Sequence, residues 1–265
     1  SKVYSKKVTD FCRSLKRGQS RIEKPSFDDP IDMVVFAIIS EDFPEASART
    51  LIKRIEKHFV DLNDLRVSRT EEIAEFLGGD SEIYKKLGET MTRGLNSTFE
   101  KYNTMSLTVL EEVGKRQAHK ELDGLEGISD FVARYCSTVS FGSHYIPLTE
   151  PMVEYLKEGG FVNPNADTRT IEGFLERKIK ATDGFTFYAR LRQESEKRRK
   201  KAKKKAKKAV KKATSTKAKK KAAKKAAKKT TKKKAAKKTV KKVAKKKTAK
   251  KTVPKKTVTK KKKKK

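Results

Sequence analysis

The sequence predicts an all-α domain followed by a long basic segment. Over most of the first 195 residues, apolar residues recur at the three- and four-residue spacing of amphipathic helices. Runs of alternating β-branched residues, which are typical of strands, are missing from the same stretch. Residues that start and stop helices, such as Asp29-Pro30 and Gly78-Gly79, separate the apolar stretches. These observations favour a bundle of short helices.

The charge of the chain is divided unevenly, and this division predicts three parts. Residues 196–265 hold 40 Lys and Arg and one acidic residue, whereas residues 1–195 hold 29 basic and 32 acidic residues. A mildly acidic domain therefore carries a polycation. We expect a basic helix or arm at 1–24, a helical domain at 25–195 and a tail at 196–265.

The first 24 residues predict a helix with one apolar stripe. Its apolar residues fall at helical spacing: Val8, Phe11, Cys12 and Leu15. Its outer face is basic, and two roles for that face remain open, contact with phosphate groups or simple solvation.

Two helices should follow, one buried and one amphipathic. Asp29 is a good N-cap and Pro30 a good first helical residue, and the run from Ile31 to Ile39 is apolar nearly all round, which is typical of a central buried helix. The stretch from Pro44 to Phe59 has its apolar residues on one side.

Three further helices are predicted before residue 121. Ser68-Arg69-Thr70-Glu71 matches a capping box, and Gly78-Gly79 should end the helix that it starts. Asp80 should begin another helix that runs through Phe99, and one more is predicted from Leu107 to Lys120.

The tail should be disordered when free and should bind nucleic acid. Its apolar residues are only Ala and Val, and it has no aromatic residue, so it cannot bury enough surface to offset its ordering entropy. Ala and Lys favour helix, so partial helix is expected once a polyanion removes the repulsion between lysines. Forty basic side chains could neutralise roughly 20 base pairs of duplex DNA. The tail residues nearest the domain are the predicted contacts: Arg198, Arg199, Lys200, Lys203, Lys204, Lys205, Lys207 and Lys208.

Lysine dominates the tail, so its binding should be sensitive to salt and nearly blind to sequence, because lysine lacks the fork that reads guanine. A solubilising tail, a nuclear import signal and a lipid-binding segment are the alternatives. An import signal needs only about 5–8 residues, and no apolar face suited to lipid is visible. Double-stranded DNA is the expected partner, RNA is the second one, and no membrane contact is expected.

Other chemistry has little support in the sequence. Three histidines, at His58, His119 and His144, are too scattered for paired metal ligands, and neither Cys12 nor Cys136 has a CxxC partner. No P-loop, nucleophile elbow or GxGxxG occurs. No signal peptide or membrane-spanning run is expected. We expect no metal, no cofactor and a cytoplasmic location on the nucleoid, or a nuclear one in a eukaryote.

A glycine-containing turn lies between two predicted helices at Leu122 to Ser129. Glycines let the chain turn tightly and bring backbone amides close to a phosphate, a contact that is independent of base sequence. The predicted DNA-binding residues of this turn are Gly124, Leu125, Gly127, Ile128 and Ser129.

The turn and its surroundings resemble the endonuclease III family of helix-hairpin-helix DNA glycosylases and AP lyases over about residues 25–190. The chain reads Leu125-Glu126-Gly127-Ile128-Ser129, then Phe141-Gly142, then Ile146-Pro147-Leu148-Thr149, in register with the family pattern. The apolar run from Pro30 to Ser40 resembles a second family element. The resemblance implies a helix-hairpin-helix glycosylase-like helical domain followed by the disordered basic tail.

The catalytic groups of the family are replaced here. The family lysine that forms a Schiff base falls at Phe131, and the family aspartate falls at Thr149, with Glu150 as the neighbouring candidate. The iron–sulfur cysteines are missing, since no Cys follows Cys136. We therefore expect a DNA-binding and compacting protein with an inactive glycosylase-like domain. The alternative is a divergent DNA glycosylase or AP lyase.

Overall fold

The computed structural model describes residues 2–16, 22–205 and 207–208. The described residues form helices and connecting loops with no strand, which confirms the predicted all-α class. The chain divides into two compact units, Ser1–Lys200 and Lys201–Lys265.

The helices of the first unit are short apart from the sixth and the last. They are α1 (Lys2–Lys16), α2 (Pro30–Asp42), α3 (Glu45–His58), α4 (Leu62–Val67), α5 (Thr70–Leu77), α6 (Glu82–Tyr102), α7 (Val109–Glu112), α8 (Lys115–Asp123), α9 (Asp130–Val139), α10 (Glu150–Glu158), α11 (Thr168–Glu176) and α12 (181–200).

Helix α2 lies at the centre of the core, as the sequence predicts. Every residue from Met33 to Ile39 is buried, and α2 packs against α3, α6 and α9. Asp29 caps the helix, because its Oδ1 accepts a hydrogen bond from the amide of Ile31 at 2.9 Å. The same oxygen accepts one from the amide of Leu107 at 3.0 Å, which ties the loop before α7 to the start of α2.

Helix α1 contributes to the same core. Its stripe residues Val8, Phe11 and Leu15 are buried, and the ring of Phe11 stacks on that of Phe161 with centroids 4.4 Å apart. The ammonium group of Lys7 donates to the carbonyl of Gly160 at 3.2 Å. The basic N-terminal segment is therefore docked through its apolar face wherever the structure describes it.

Two local predictions differ from the structure. The helix predicted from Leu107 to Lys120 is two helices, α7 and α8, because the chain is extended at Val113 and Gly114. The capping box is also not formed. Helix α5 begins at Thr70, and the Ser68 hydroxyl instead donates to the Asp64 carbonyl at the end of α4, at 2.8 Å.

A buried arginine on α12 joins that helix to the α2–α3 junction. Arg192 is 3% exposed, and its guanidinium donates to the carbonyls of Ser40 and Phe43, the latter at 2.8 Å. These carbonyls lie where α2 ends. The guanidinium also donates to the Tyr188 hydroxyl at 2.6 Å and to Glu196 at 3.1 Å.

Glu196 connects α12 to the start of α3. Its Oε1 also accepts a hydrogen bond from the amide of Glu45, the first residue of α3, at 3.0 Å. The predicted boundary between residues 195 and 196 therefore falls inside α12, next to a residue that binds the core.

The first part of the predicted tail is helical rather than irregular. Residues 196–200 belong to α12, and residues 201–205 and 207–208 of the second unit are helical as well. Ala and Lys are good helix formers, which accounts for the helical conformation of these residues. The disorder predicted for residues 209–265 concerns a segment outside the described residues.

Replacement of Arg192 tests the junction. The substitution Arg192→Ala leaves the Ser40 and Phe43 carbonyls and the Glu196 carboxylate without their buried donor, so we expect it to lower the free energy of unfolding by about 3–5 kcal/mol. Urea denaturation followed by circular dichroism measures this change. The matched control is Arg199→Ala, an exposed site on the same helix, which should change stability by less than about 0.5 kcal/mol. Equal stabilities of the two variants would contradict the assigned role.

Candidate nucleic-acid interface

The glycine-containing turn forms a tight hairpin between α8 and α9. Within it, the amides of Gly124, Leu125 and Ile128 donate to backbone carbonyls of the hairpin or of α8 at 3.1–3.2 Å. Leu125 is 3% exposed and packs in the core. Three of the five predicted contact residues therefore have their amides engaged within the protein, and the side chain of Leu125 serves packing.

Gly127 is the residue that the hairpin requires. Its φ is +79°, in the left-handed region that favours glycine. A Cβ placed on it would lie 2.8 Å from the backbone nitrogen of Gly94 on α6, and 3.0 Å from the Arg93 Cβ. The hairpin thus packs directly on the α6 backbone, and the Glu126 amide secures it by donating to the Ser97 hydroxyl at 2.9 Å.

Two hairpin amides remain available to a ligand. Among the described residues, neither the Gly127 amide nor the Ser129 amide donates to a protein acceptor. The amides of Asp130 and Phe131 begin α9 and have no partner inside the helix. Together these groups lie at the positive end of a helix, an arrangement that suits a phosphate oxygen.

Carboxylates near the hairpin weaken this site for an anion. Glu126 is exposed within the turn, and Asp130 is the first residue of α9. The Ser129 hydroxyl donates to the Glu41 carboxylate at 2.8 Å, and burial raises the pKa of Glu41 although this hydrogen bond lowers it. Asp130 is partly neutralised, since it pairs with Arg134 at 3.0 Å and Arg169 at 3.5 Å.

The positions that the resemblance assigns to the family's catalytic groups hold buried side chains. Phe131 is 5% exposed, and its ring stacks on that of Tyr135 with centroids 5.9 Å apart. Thr149 is buried at the N-cap position of α10, and Glu150, the first residue of that helix, is exposed. Phe131 offers no amine and Thr149 no carboxylate, so neither can supply the group that it replaces.

A buried ion cluster holds the loop that leads to Thr149. Glu172 is 1% exposed and accepts a hydrogen bond from the Leu148 amide at 3.0 Å. Burial raises the pKa of Glu172 to about 7, against the opposing effect of Arg134, which lies 3.4 Å away. Arg134 also pairs with Glu176 at 3.0 Å. Sequence reasoning missed this cluster and Glu41, since isolated charges in amphipathic helices look like surface residues.

The basic residues predicted as tail contacts differ in availability. Arg198 pairs with Glu158, and its guanidinium lies 5.6 Å from the centroid of the Tyr155 ring, so the domain engages it. Arg199 and Lys200 are exposed. The five predicted lysines of the second unit, Lys203, Lys204, Lys205, Lys207 and Lys208, are also exposed.

Metal and cluster ligands are not assembled in the described part of the chain. It contains no group of three His, Cys, Asp or Glu side chains arranged to hold a metal ion. The iron–sulfur cluster of some endonuclease III relatives needs four cysteines, and this sequence has two, of which Cys136 is buried, so the chain does not fit that group. In the described residues, no helix is both long and apolar enough to cross a membrane.

Solved structures with a similar fold include endonuclease III and several DNA glycosylases. A trapped endonuclease III–DNA covalent intermediate superposes with a TM-score of 0.57 at 16% identity, over 71% of this chain and 84% of that one. The Helicobacter pylori (H. pylori) 3-methyladenine DNA glycosylase bound to 1,N6-ethenoadenine gives 0.55 at 12% identity, over 73% and 98%.

A third structure with a similar fold is the Clostridium acetobutylicum 8-oxoguanine glycosylase/lyase in complex with double-stranded DNA. It gives a TM-score of 0.54 at 16% identity, over 74% of this chain and 70% of that one. No protein-family model matches the chain. No curated protein matches it either.

The helical core and the hairpin define a helix-hairpin-helix glycosylase fold. Within that class the fold is of the endonuclease III type, which confirms the resemblance seen in the sequence. At identities of 12–16%, these likenesses establish the fold and leave the activity open.

Substitution of Gly127 tests the hairpin geometry. Gly127→Ala adds both left-handed strain and a contact with the Gly94 backbone, so we expect a loss of about 3 kcal/mol in the free energy of unfolding. Gly79→Ala is the matched control, because φ is +104° there but no heavy atom lies within 4 Å of the added Cβ. The control should lose only about 1 kcal/mol in the same urea titration. If Gly127→Ala were no worse than Gly79→Ala, the close packing of hairpin and α6 would be refuted.

Proposed function

We propose that this protein binds double-stranded DNA without sequence preference and compacts it, as a nucleoid- or chromatin-associated protein. The observation that carries the proposal is the division of charge: 40 basic residues against one acidic residue in 196–265, attached to a domain with a DNA glycosylase fold and a small negative charge.

Residues 196–265, which we call the lysine-rich segment, supply most of the affinity in this proposal. Each phosphate that a lysine neutralises releases condensed counterions, and this gain does not depend on the bases. The residues 199–205, 207 and 208 are exposed, so their basic side chains are available to a phosphate backbone. RNA offers the same phosphate charge and remains a second possible ligand for the segment alone.

The hairpin supplies a second, weaker phosphate contact. The Gly127 and Ser129 amides are the donors for it, because they have no protein acceptor among the described residues. The carboxylates of Glu126 and Asp130 limit its strength. Two phosphate-binding regions in one chain can hold two stretches of duplex, which is what bridging and compaction require.

Loss of the family's chemistry supports a binding role for the domain. A lyase of this family needs an amine where the chain has Phe131, and that ring is packed in the core. The carboxylate position is Thr149, which is also buried.

The second candidate function is base excision by a divergent DNA glycosylase. The likeness to glycosylases solved with DNA favours it. In that case the candidate carboxylate is Glu150, which is exposed at the start of α10 next to Thr149.

The salt dependence of duplex binding tests the proposal. We expect the binding constant of the full chain to fall steeply with salt, by about 0.9 logarithmic units per decade of salt for each phosphate neutralised. A chain that ends at Lys208 lacks 30 of the basic residues and keeps every described core contact, so its slope should be smaller by several units. Fluorescence anisotropy at a series of salt concentrations measures both.

Duplexes of unrelated sequence serve as the control for specificity. Their affinities should agree within about threefold, since a single well-made base contact alone would change affinity more than that. An unchanged slope after truncation, or a strong preference for one sequence, would contradict the proposal.

A further inference from the structure

The loop at 145–149 is held by two glutamates of one helix. It connects α9 to α10 and is buried apart from its first residue. The amide of Leu148 donates to Glu172 Oε1 at 3.0 Å, and the amide of Ile146 donates to Glu176 Oε1 at 3.3 Å. Both glutamates belong to α11. These two hydrogen bonds therefore join the loop, and with it the start of α10, to α11.

Arg134 on α9 lies beside both glutamates but hydrogen-bonds to only one of them. Its guanidinium donates to Glu176 at 3.0 Å and to Asp130 at 3.0 Å. Its Nε lies 3.4 Å from Glu172 Oε2, and among the described residues this buried oxygen has no hydrogen-bond partner. Glu172 is also 1% exposed, so bulk water does not solvate it. An ionised Glu172 would therefore lack a hydrogen bond on one oxygen.

The charges around Glu172 are balanced before its own charge is counted. The other charged groups of the cluster are Asp130 and Arg134 on α9 and Arg169 and Glu176 on α11. They comprise two cations and two anions. An ionised Glu172 adds a third anion to this set, and a buried charge without a matching partner is costly. A neutral Glu172 keeps the balance.

The neutral acid is accordingly the favoured form of Glu172 over a wide range of pH. Burial raises its pKa from about 4.5 to about 7, although Arg134 and the Leu148 amide act in the opposite direction. Two titratable rings lie at the edge of the cluster. The Tyr145 ring centroid is 5.1 Å from the Arg134 guanidinium carbon, and the His144 Nε2 is 3.0 Å from the Glu176 carbonyl.

We propose that this cluster is a pH-sensitive switch that controls how firmly the loop at 145–149 is held. With one proton on Glu172 the charges balance and the loop stays closed. Loss of that proton leaves a buried anion, and opening of the loop relieves it by letting water reach the carboxylate. The switch needs no DNA, so it does not depend on the proposed function.

The direction of the pH dependence follows from the two proton affinities. In the opened loop the carboxyl is solvated and has its ordinary pKa near 4.5, whereas in the closed loop its pKa is about 7. The closed form binds the proton more tightly, so its extra stability is present at low pH. That stability is lost as the pH rises from the lower pKa through the higher one.

Hydrogen exchange of the Leu148 amide measures loop opening in the ¹⁵N-labelled full chain. Each exchange rate is divided by the intrinsic rate at the same pH, so that only the opening equilibrium remains. We expect the opening constant to rise about tenfold from pH 6 to pH 8. In Glu172→Gln, whose side chain cannot ionise, the opening constant should be the same at both pH values.

Two control variants should keep the tenfold rise. Glu154→Gln removes an exposed carboxylate on α10, and His144→Gln removes the titratable ring nearest the cluster. If Glu172→Gln does not fold, the pH titration of the Leu148 amide proton shift in the native chain replaces it, because this shift follows the charge of the acceptor. Its midpoint should lie near pH 7.

Three results would overturn the proposal. They are an opening constant that does not change with pH in the native chain, a rise that persists in Glu172→Gln, and a rise that disappears in His144→Gln. A Leu148 shift with its midpoint below about pH 5 would do the same, since Glu172 would then titrate like a solvated carboxyl.

Discussion

The fold depends on one buried cation. Arg192 reaches from α12 to the carbonyls at the end of α2, and Glu196 reaches from the same helix to the amide that starts α3. A buried guanidinium is costly unless it is hydrogen-bonded, and here Tyr188, Glu196 and two backbone carbonyls accept hydrogen bonds from it. Helix α2 packs against α9, which follows the hairpin, and against α6, on which the hairpin packs. The junction at the end of α2 therefore helps to position the hairpin.

Two other arginines of the domain are also held by carboxylates. Arg134 is surrounded by Asp130, Glu172 and Glu176, and Arg198 pairs with Glu158. These two cations are engaged in ion pairs within the domain. In the proposed function, the lysine-rich residues 196–265 supply most of the positive charge that would hold DNA.

The sequence predicted the helices and the hairpin because residues that are close together in the sequence determine both. Asp29, Pro30 and the run to Ile39 determine α2 through capping and burial, and Gly127 determines the turn through its left-handed conformation. The separate helices α7 and α8 were not predicted, because the extended Val113 and Gly114 carry only a weak break signal.

Contacts between residues far apart in the sequence could not be predicted from these local patterns. The spacing of apolar residues in α12 does not show that the Arg192 side chain is buried or that Glu196 contacts the core. Both depend on hydrogen bonds to residues about 150 positions away in the sequence. The Ser129–Glu41 hydrogen bond and the Glu172 cluster join distant segments in the same way. The motif alignment predicted which residues occupy the family's catalytic positions. That these residues are buried could be seen only in the structure.

The central claim is that a glycosylase fold is retained here for binding and without its chemistry. Strand cleavage at abasic sites cannot decide this, because the lysine amines of 209–265 can themselves form Schiff bases with an opened sugar. Release of a free damaged base from duplex DNA is the direct measurement, made by mass spectrometry with oxidised and alkylated substrates. The account predicts no release above the protein-free background for the full chain. Base release that disappears in Glu150→Gln would contradict it.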